Sequence, residues 1–311
     1  MSVEMRKVLA ETLGECMEKD SRIVVVDSDL SKADGTWPLR AKFADRMFNV
    51  GVQEANMTSF AAGLSSYGLI PFITTFTPFA SRRICDQVAI SIVYARRNVK
   101  IIGTDPGIAA ELNGGTHMSL EDVGLMRAMP GMVVFEPCDN IQLKQALPQI
   151  VAHNGPVYIR MFRKATPDIF DPSYKFDLFT ADTLRRGGDV SLFATGILVK
   201  QALDAADILA GEGIEADVVN VHTIKPIDRE TVLASVRKTG AAVTCENHNV
   251  MNGLGSAVAE ATAEEFPVPV LRIGAQDRFG EVGKIPYLLK ALGMTAEDIA
   301  AKAKEAIRRK K

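Results

Sequence analysis

The sequence has 311 residues, 47% of them hydrophobic and 24% charged, and a formal net charge of −2. These values fit a globular chain of about two domains and exclude a polybasic binder of nucleic acid or of a polyanionic surface. The four cysteines, Cys16, Cys85, Cys138 and Cys245, lack metal-ligand spacing, no apolar run reaches the roughly 18 residues of a membrane span, and no signal-peptide pattern opens the chain. A cytoplasmic protein with reduced thiols is expected.

In chain order, a helix is predicted over Met5–Lys19, then a strand over Ile23–Val26 that ends in Asp27-Ser28-Asp29-Leu30. Carboxylates at such strand ends lie where open α/β sheets place their ligands. A helix over 52–66 follows, with Glu54 in its first turn. Val52, Ala55, Phe60 and Leu64 share one face, which predicts a buried helix. Glu54 either complements the helix dipole, worth roughly 0.3–1 kcal/mol, or enters the interior as a carboxyl that needs a partner. Next come a strand over 70–75, a helix over 79–96, a strand over Val99–Gly103 and a glycine-rich loop over 107–116. Ser119-Leu120-Glu121-Asp122 reads as a capping box opening a helix to Met129. Strand Met132–Glu136, helix Asn140–His153 and strand Pro156–Met161 complete a unit whose alternation argues for a mainly parallel sheet covered on both faces.

Residues 164–186 carry Pro167, Pro172 and unpatterned charge, and are the expected linker. A second alternating unit follows: strand Val190–Ala194, helix Val199–Gly211, strand Glu215–Val221, helix Asp228–Thr239, strand Ala241–Glu246, helix Gly255–Phe266, strand Val270–Ile273 and a terminal helix from Ala296. The basic run Arg308–Lys311 reads as a solvated helix end. Thr195-Gly196 and Asn252-Gly253-Leu254-Gly255 read as turns, since no Gly-x-Gly-x-x-Gly follows a strand.

The Glu54 helix, the Gly68-x-x-Pro71-Phe72 strand, the Phe76-x-x-Phe79 pair and Asp86-Gln87-Val88 together resemble the pyrimidine-binding domain of transketolases. The likeness continues through Gly103–Met132 and beyond Gly187. It implies two open, mainly parallel α/β units: a thiamine diphosphate pyrimidine-binding domain over 1–163, the linker 164–186, and a transketolase carboxy-terminal domain over 187–311. Full-length transketolases carry a further domain in front, which holds the cofactor's phosphates and Mg²⁺ through a Gly-Asp-Gly segment followed by an Asn. That signature is lacking, because Gly187-Gly188-Asp189 runs into Val190 and a strand. The resemblance therefore implies the carboxy-terminal subunit of a split transketolase, with no metal ligands of its own. It would transfer a two-carbon ketol unit from a ketose to an aldose beside a diphosphate-binding amino-terminal subunit, two copies of each. The alternatives are the beta subunit of a 2-oxo-acid dehydrogenase and a non-catalytic interaction subunit.

Carried over position by position, the resemblance implies that Glu54 hydrogen-bonds N1′ of the cofactor's pyrimidine. A sheltered carboxyl suits that role, because burial raises its pKa towards that of its partner. Phe79 would stack on the aminopyrimidine and Phe76 line the pocket; in other systems such stacking is worth about 1–3 kcal/mol. Without the resemblance both rings read as core. Asp29 would lie near the thiazolium, and Arg82 stands where a tyrosine is usual, offering a planar guanidinium instead. His117, in Gly114-Gly115-Thr116-His117, matches the histidine that contacts substrate hydroxyls. Arg163 matches the arginine that grips a sugar phosphate, for which its fork is suited. Departures cluster at that end of the site: Asp105 replaces a histidine, Ala33 a serine, and Leu112-Asn113-Gly114 the usual Glu-Asp-Gly. An aspartate in a phosphate pocket repels the ligand, so Asp105 and Asn113 imply an atypical ketose donor. His153, His222 and His248 carry no assigned chemistry.

Overall fold

The computed structural model describes residues 3–310. Twelve strands are described: β1 Ile23–Asp27, β2 Met47–Asn49, β3 Ile70–Phe76, β4 Lys100–Thr104, β5 Val133–Phe135, β6 Val157–Met161, β7 Asp182–Arg185, β8 Val190–Ala194, β9 Ala216–Asn220, β10 Thr223–Lys225, β11 Ala242–Asn249 and β12 Val270–Ala275. They form a seven-stranded sheet in the order β10-β5-β6-β4-β3-β1-β2 and a five-stranded sheet in the order β12-β11-β8-β9-β7. All pairs are parallel except β10 with β5 and β7 with β9, each at a sheet edge. Side chains alternate between two cores. Ile23, Val25, Ile70 and Phe72 meet the helices Met5–Lys19 and Asn140–Ala152, whereas Val26, Ile73 and Ile101 meet Met57 and Ala61 of the helix Glu54–Ser66. Burying each such aliphatic side chain contributes about 1.5–3 kcal/mol, and it makes both faces of the central strands apolar, as a covered parallel sheet requires.

Several expectations are corrected. The helix predicted over 52–66 begins at Glu54, and its buried side is Glu54, Met57, Thr58, Ala61 and Ala62. Val52, Ala55 and Phe60 face solvent. The helix predicted over 79–96 is broken at Ser81 (φ −126°, ψ −89°), whose hydroxyl donates back to the Thr77 carbonyl at 2.7 Å; a π-helical stretch over Val88–Tyr94 ends it. Ser119 makes no cap, and the helix begins at Asp122 because that carboxylate is taken by the buried Arg160 and Tyr158. The last residues of the expected linker form β7 and pair with β9. The second unit also returns β10 to the edge of the first sheet. Of the basic run at the end, Arg308 closes the last helix, while Lys311 lies outside the described residues.

Arg160, fully buried in β6, joins the two units. Its guanidinium donates to Asp122 (2.7 Å), Glu136 (2.6 Å) and the carbonyl of Asn247 in β11 (2.6 Å). Removing one partner of a buried ion pair costs about 3–5 kcal/mol. This network therefore holds the β6 end, and Arg163 just beyond it, in a fixed place.

Candidate active site

The carboxyl ends of β1, β3, β4 and β6 lie side by side in the first sheet, and each delivers at least one group. Asp29 follows β1, Phe76 and Phe79 end β3 and open the next turn, Asp105 follows β4, and Arg163 follows β6. Open α/β sheets place ligands outside these ends.

Glu54 sits on the first turn of its helix with 4% of its surface exposed. Among the described residues, its side-chain partner is Arg83, whose Nη1 donates to Oε1 at 2.7 Å. Arg83 is itself about half exposed and lies over the Phe79 ring, 3.7 Å from its centroid. Phe76, Phe79 and His117 form a triangle of rings with centroids 5.4–6.1 Å apart. Arg163 covers Phe76 at 4.8 Å from its centroid. Each phenylalanine thus presents a face already occupied by a planar cation, the geometry a flat, electron-poor ring would use. A carboxyl this sheltered, with a rim arginine as its partner and two ring faces beside it, fits an aminopyrimidine.

Arg82 is engaged elsewhere. Its Nη1 donates to Glu121 and its Nη2 to the Thr116 carbonyl, both at 2.7 Å, so the guanidinium on the ring face is that of Arg83. The tandem Arg82-Arg83 beside a buried Glu54 was the available signal for this pair. His117 is half-buried, with Nδ1 3.0 Å from the Thr116 hydroxyl; Asn113 is exposed at the start of the same loop. Asp29 adopts φ +64° and exchanges hydrogen bonds with Asn49 at the end of β2, both at 3.2 Å. This ties the end of β1 to the edge strand β2, and no contact of Asp29 with the three rings is described.

Asp105 is not an unpaired carboxylate. It is buried, and its Oδ2 accepts from Arg163 Nε at 2.6 Å; Arg163 Nη1 donates to the Ala33 carbonyl at 3.1 Å. The arginine expected to grip a phosphate is therefore already neutralised. Beneath this pair lies Asp34, which sequence reasoning missed. It accepts from Thr74 in β3 (2.9 Å) and Thr104 in β4 (2.7 Å). Burial pushes its carboxyl up to about 6, against the pull of both hydroxyls and of Arg163. No cluster of three or more metal-ligating side chains occurs among the described residues, and no helix is long and apolar enough to cross a membrane.

Residues 1–168 match the model of the transketolase pyrimidine-binding domain, and residues 180–299 match that of the transketolase C-terminal domain. The 6-deoxy-6-sulfo-D-fructose transketolase subunit SqwH of Clostridium sp. (strain MSTE9) is 53% identical over 306 residues, covering 98% of this chain and 95% of that protein. A putative transketolase C-terminal section of Methanocaldococcus jannaschii is 40% identical, covering 98% and 96%. A solved structure described as a split gene transketolase, inactive beta4 tetramer, superposes with a TM-score of 0.92 at 41% identity, covering all of both chains. These likenesses favour the transketolase reading over a 2-oxo-acid dehydrogenase subunit and over a silent interaction subunit. The chain belongs to the thiamine diphosphate-dependent transketolase family, as a transferase subunit of the split kind.

Proposed function

We propose that this subunit supplies the pyrimidine side of a thiamine diphosphate site completed by a diphosphate-binding partner, and that its donor is a ketose with a sulfonate at its far end. The observation that carries the first part is Glu54: nearly buried, at a helix start, and paired with a half-exposed arginine that a bound ring can displace. When bound, the cofactor would supply an electron sink for the two-carbon unit. Glu54 would hold N1′ of the pyrimidine through a hydrogen bond to its sheltered carboxyl. Phe79 stacks on the pyrimidine, Phe76 walls the pocket, and Asp29 places a carboxylate on the thiazolium side. Arg82 holds the Thr116 carbonyl and so sets where the neighbouring His117 reaches. His117 and Asn113 take the donor's hydroxyls.

Mg²⁺ and the diphosphate fall to the partner subunit, with two copies of each chain in the assembly and the whole in the cytoplasm. The exposed Val52, just before the Glu54 helix, Phe60 on it, and Ile90 and Tyr94 on the π-helical stretch Val88–Tyr94 support an assembled state, because several large apolar residues exposed on neighbouring segments are normally covered. The split-gene relative whose tetramer of beta chains is described as inactive supports the same dependence on a partner.

The donor assignment rests on the Asp105–Arg163 pair and on the 53% identity to a sulfofructose transketolase subunit. A phosphate monoester carries about −1.5 to −2 charges at neutral pH, whereas a sulfonate carries one. A pocket whose arginine is already neutralised penalises the second charge. Co-expression with a Gly-Asp-Gly subunit, followed by ketol transfer from 6-deoxy-6-sulfofructose and from xylulose 5-phosphate to a common aldose, tests both parts. The reading expects transfer only in the complex and a preference for the sulfonate donor. Equal or better use of xylulose 5-phosphate refutes the donor assignment, and transfer by the isolated chain refutes the shared site.

A further inference from the structure

Glu111 has a backbone that an L-residue rarely adopts, φ 45° and ψ −113°, inside the helical stretch Gly107–Asn113. Strain of this kind persists where the surroundings over-determine it. Here they do. The Glu111 carboxylate is nearly buried; Oε2 pairs with Lys164, the residue after Arg163, and Oε1 accepts the backbone N–H of Ile285 at 3.2 Å. One side chain therefore links three segments: the loop bearing Asn113 and His117, the β6 end bearing Arg163, and the second unit. The carbonyl of Glu111 also accepts the Gly114 N–H at 3.1 Å, and the Gly114 carbonyl in turn accepts the N–H of His117 at 3.0 Å.

The second unit closes on the same loop from the other side. A Cβ at Gly114 would stand 2.8 Å from Val282, one at Gly115 would stand 2.6 Å from the Gly280 carbonyl, and one at Gly280 would stand 2.2 Å from the Met118 sulfur. Backbone meets backbone at Gly115, Gly114 also adopts φ +71°, and at Gly280 the Met118 side chain fills the space a Cβ would take. No side chain of the second unit joins the ring triangle, yet its 280–285 segment forms one wall of the loop that carries His117.

We propose that Glu111 is a positioning residue, which with the Gly280 turn of the carboxy-terminal unit fixes the reach of His117 and Asn113 towards the sugar hydroxyls relative to Arg163. The proposal rests on the transketolase reading above, but neither Glu111 nor Gly280 touches substrate or cofactor. Displacing the loop by about an ångström should cost substrate recognition roughly 10–100-fold while leaving the pyrimidine side intact.

The test uses the full chain, in complex with its partner. Glu111→Gln keeps the shape and removes the Lys164 ion pair; Gly280→Ala pushes on Met118 from the opposite side. Both should raise KM for the donor roughly 10–100-fold with kcat within about threefold and thiamine diphosphate affinity unchanged. In the full chain alone, hydrogen exchange at residues 112–118 should speed up in Glu111→Gln while the other segments keep wild-type protection. Unchanged KM in both variants, or kcat, KM and cofactor affinity falling together, would overturn the positioning role. A wild-type complex with no ketol transfer from any donor would sink the transketolase reading, and the exchange result then decides Glu111 alone: unaltered exchange at 112–118 refutes it.

Discussion

Replacing Asp105 by Asn separates the charge of the Asp105–Arg163 pair from its shape. The side chains are nearly isosteric, and the Asn oxygen can still accept from Arg163 Nε, now 2.6 Å from Asp105 Oδ2. What disappears is one negative charge behind the guanidinium. For an anion bound near Arg163, on the order of 7 Å from that carboxylate, an effective dielectric of about 20–40 gives a repulsion of roughly 1–2 kcal/mol per unit of anion charge. A dianionic phosphate suffers that once more than a sulfonate does. Asp105→Asn should therefore shift the ratio of kcat/KM for xylulose 5-phosphate over 6-deoxy-6-sulfofructose by roughly 5–30-fold towards phosphate. The assay is ketol transfer by the co-expressed complex, with both donors and one aldose, at low salt and near physiological ionic strength. The shift should persist at the higher salt, because the pair is largely buried and poorly screened. A ratio within twofold of wild type at both salts would show that Asp105 does not set the donor's charge.

Glu54→Gln preserves the fold and should lower turnover of the complex by about 10²–10⁴-fold, the usual contribution of an acid–base group; activity within threefold of wild type would reduce Glu54 to a helix-terminus residue. The isolated chain should bind thiamine diphosphate weakly and without dependence on Mg²⁺, and tight Mg²⁺-dependent binding by calorimetry would contradict the partner's role. Asp34 has a folded pKa of about 6, above its ordinary 3.8, so its stabilising contribution is full below about 3.8 and is lost as pH rises through 6. Asp34→Asn removes that loss; its stability relative to wild type should improve by on the order of 2–3 kcal/mol between about pH 4.5 and pH 7.5 in urea unfolding. A difference that is flat with pH contradicts an uncharged-preferring Asp34.

What the sequence made legible follows from which interactions are local. Parallel strands buried on both faces leave short apolar runs between helical periods, so β1, β3, β4, β6, β8, β9 and β11 could all be read from pattern. The candidates at 76, 79, 105 and 163 came from the resemblance rather than from pattern, and the structure places all four at or just beyond the ends of β3, β4 and β6. Partner choice across the sheet is not local. Ser119-x-x-Asp122 has the form of a cap, but Asp122 is claimed by Arg160, 38 residues away. Arg163 has the form of a phosphate grip, but Asp105, 58 residues away, holds it.

The Glu54 helix failed for a further reason. Val52, Ala55 and Phe60 look like a core stripe because exposed apolar residues can share the periodicity of buried ones. The face that is buried within the chain carries Glu54 and Thr58 instead, and Thr58 spends its hydroxyl on the Glu54 carbonyl at 2.8 Å. Burying a carboxylate while exposing a phenylalanine inverts the usual free-energy preference by several kcal/mol for a lone chain. The proposed function accounts for the inversion, since it covers the exposed face and brings a ring nitrogen to the buried acid. Arg83 answers half of that need in the free chain, as a rim cation that neutralises Glu54 and shields Phe79. The same helix is thus where sequence pattern misleads, because its buried side is set by Glu54 and its partner rather than by the apolar stripe.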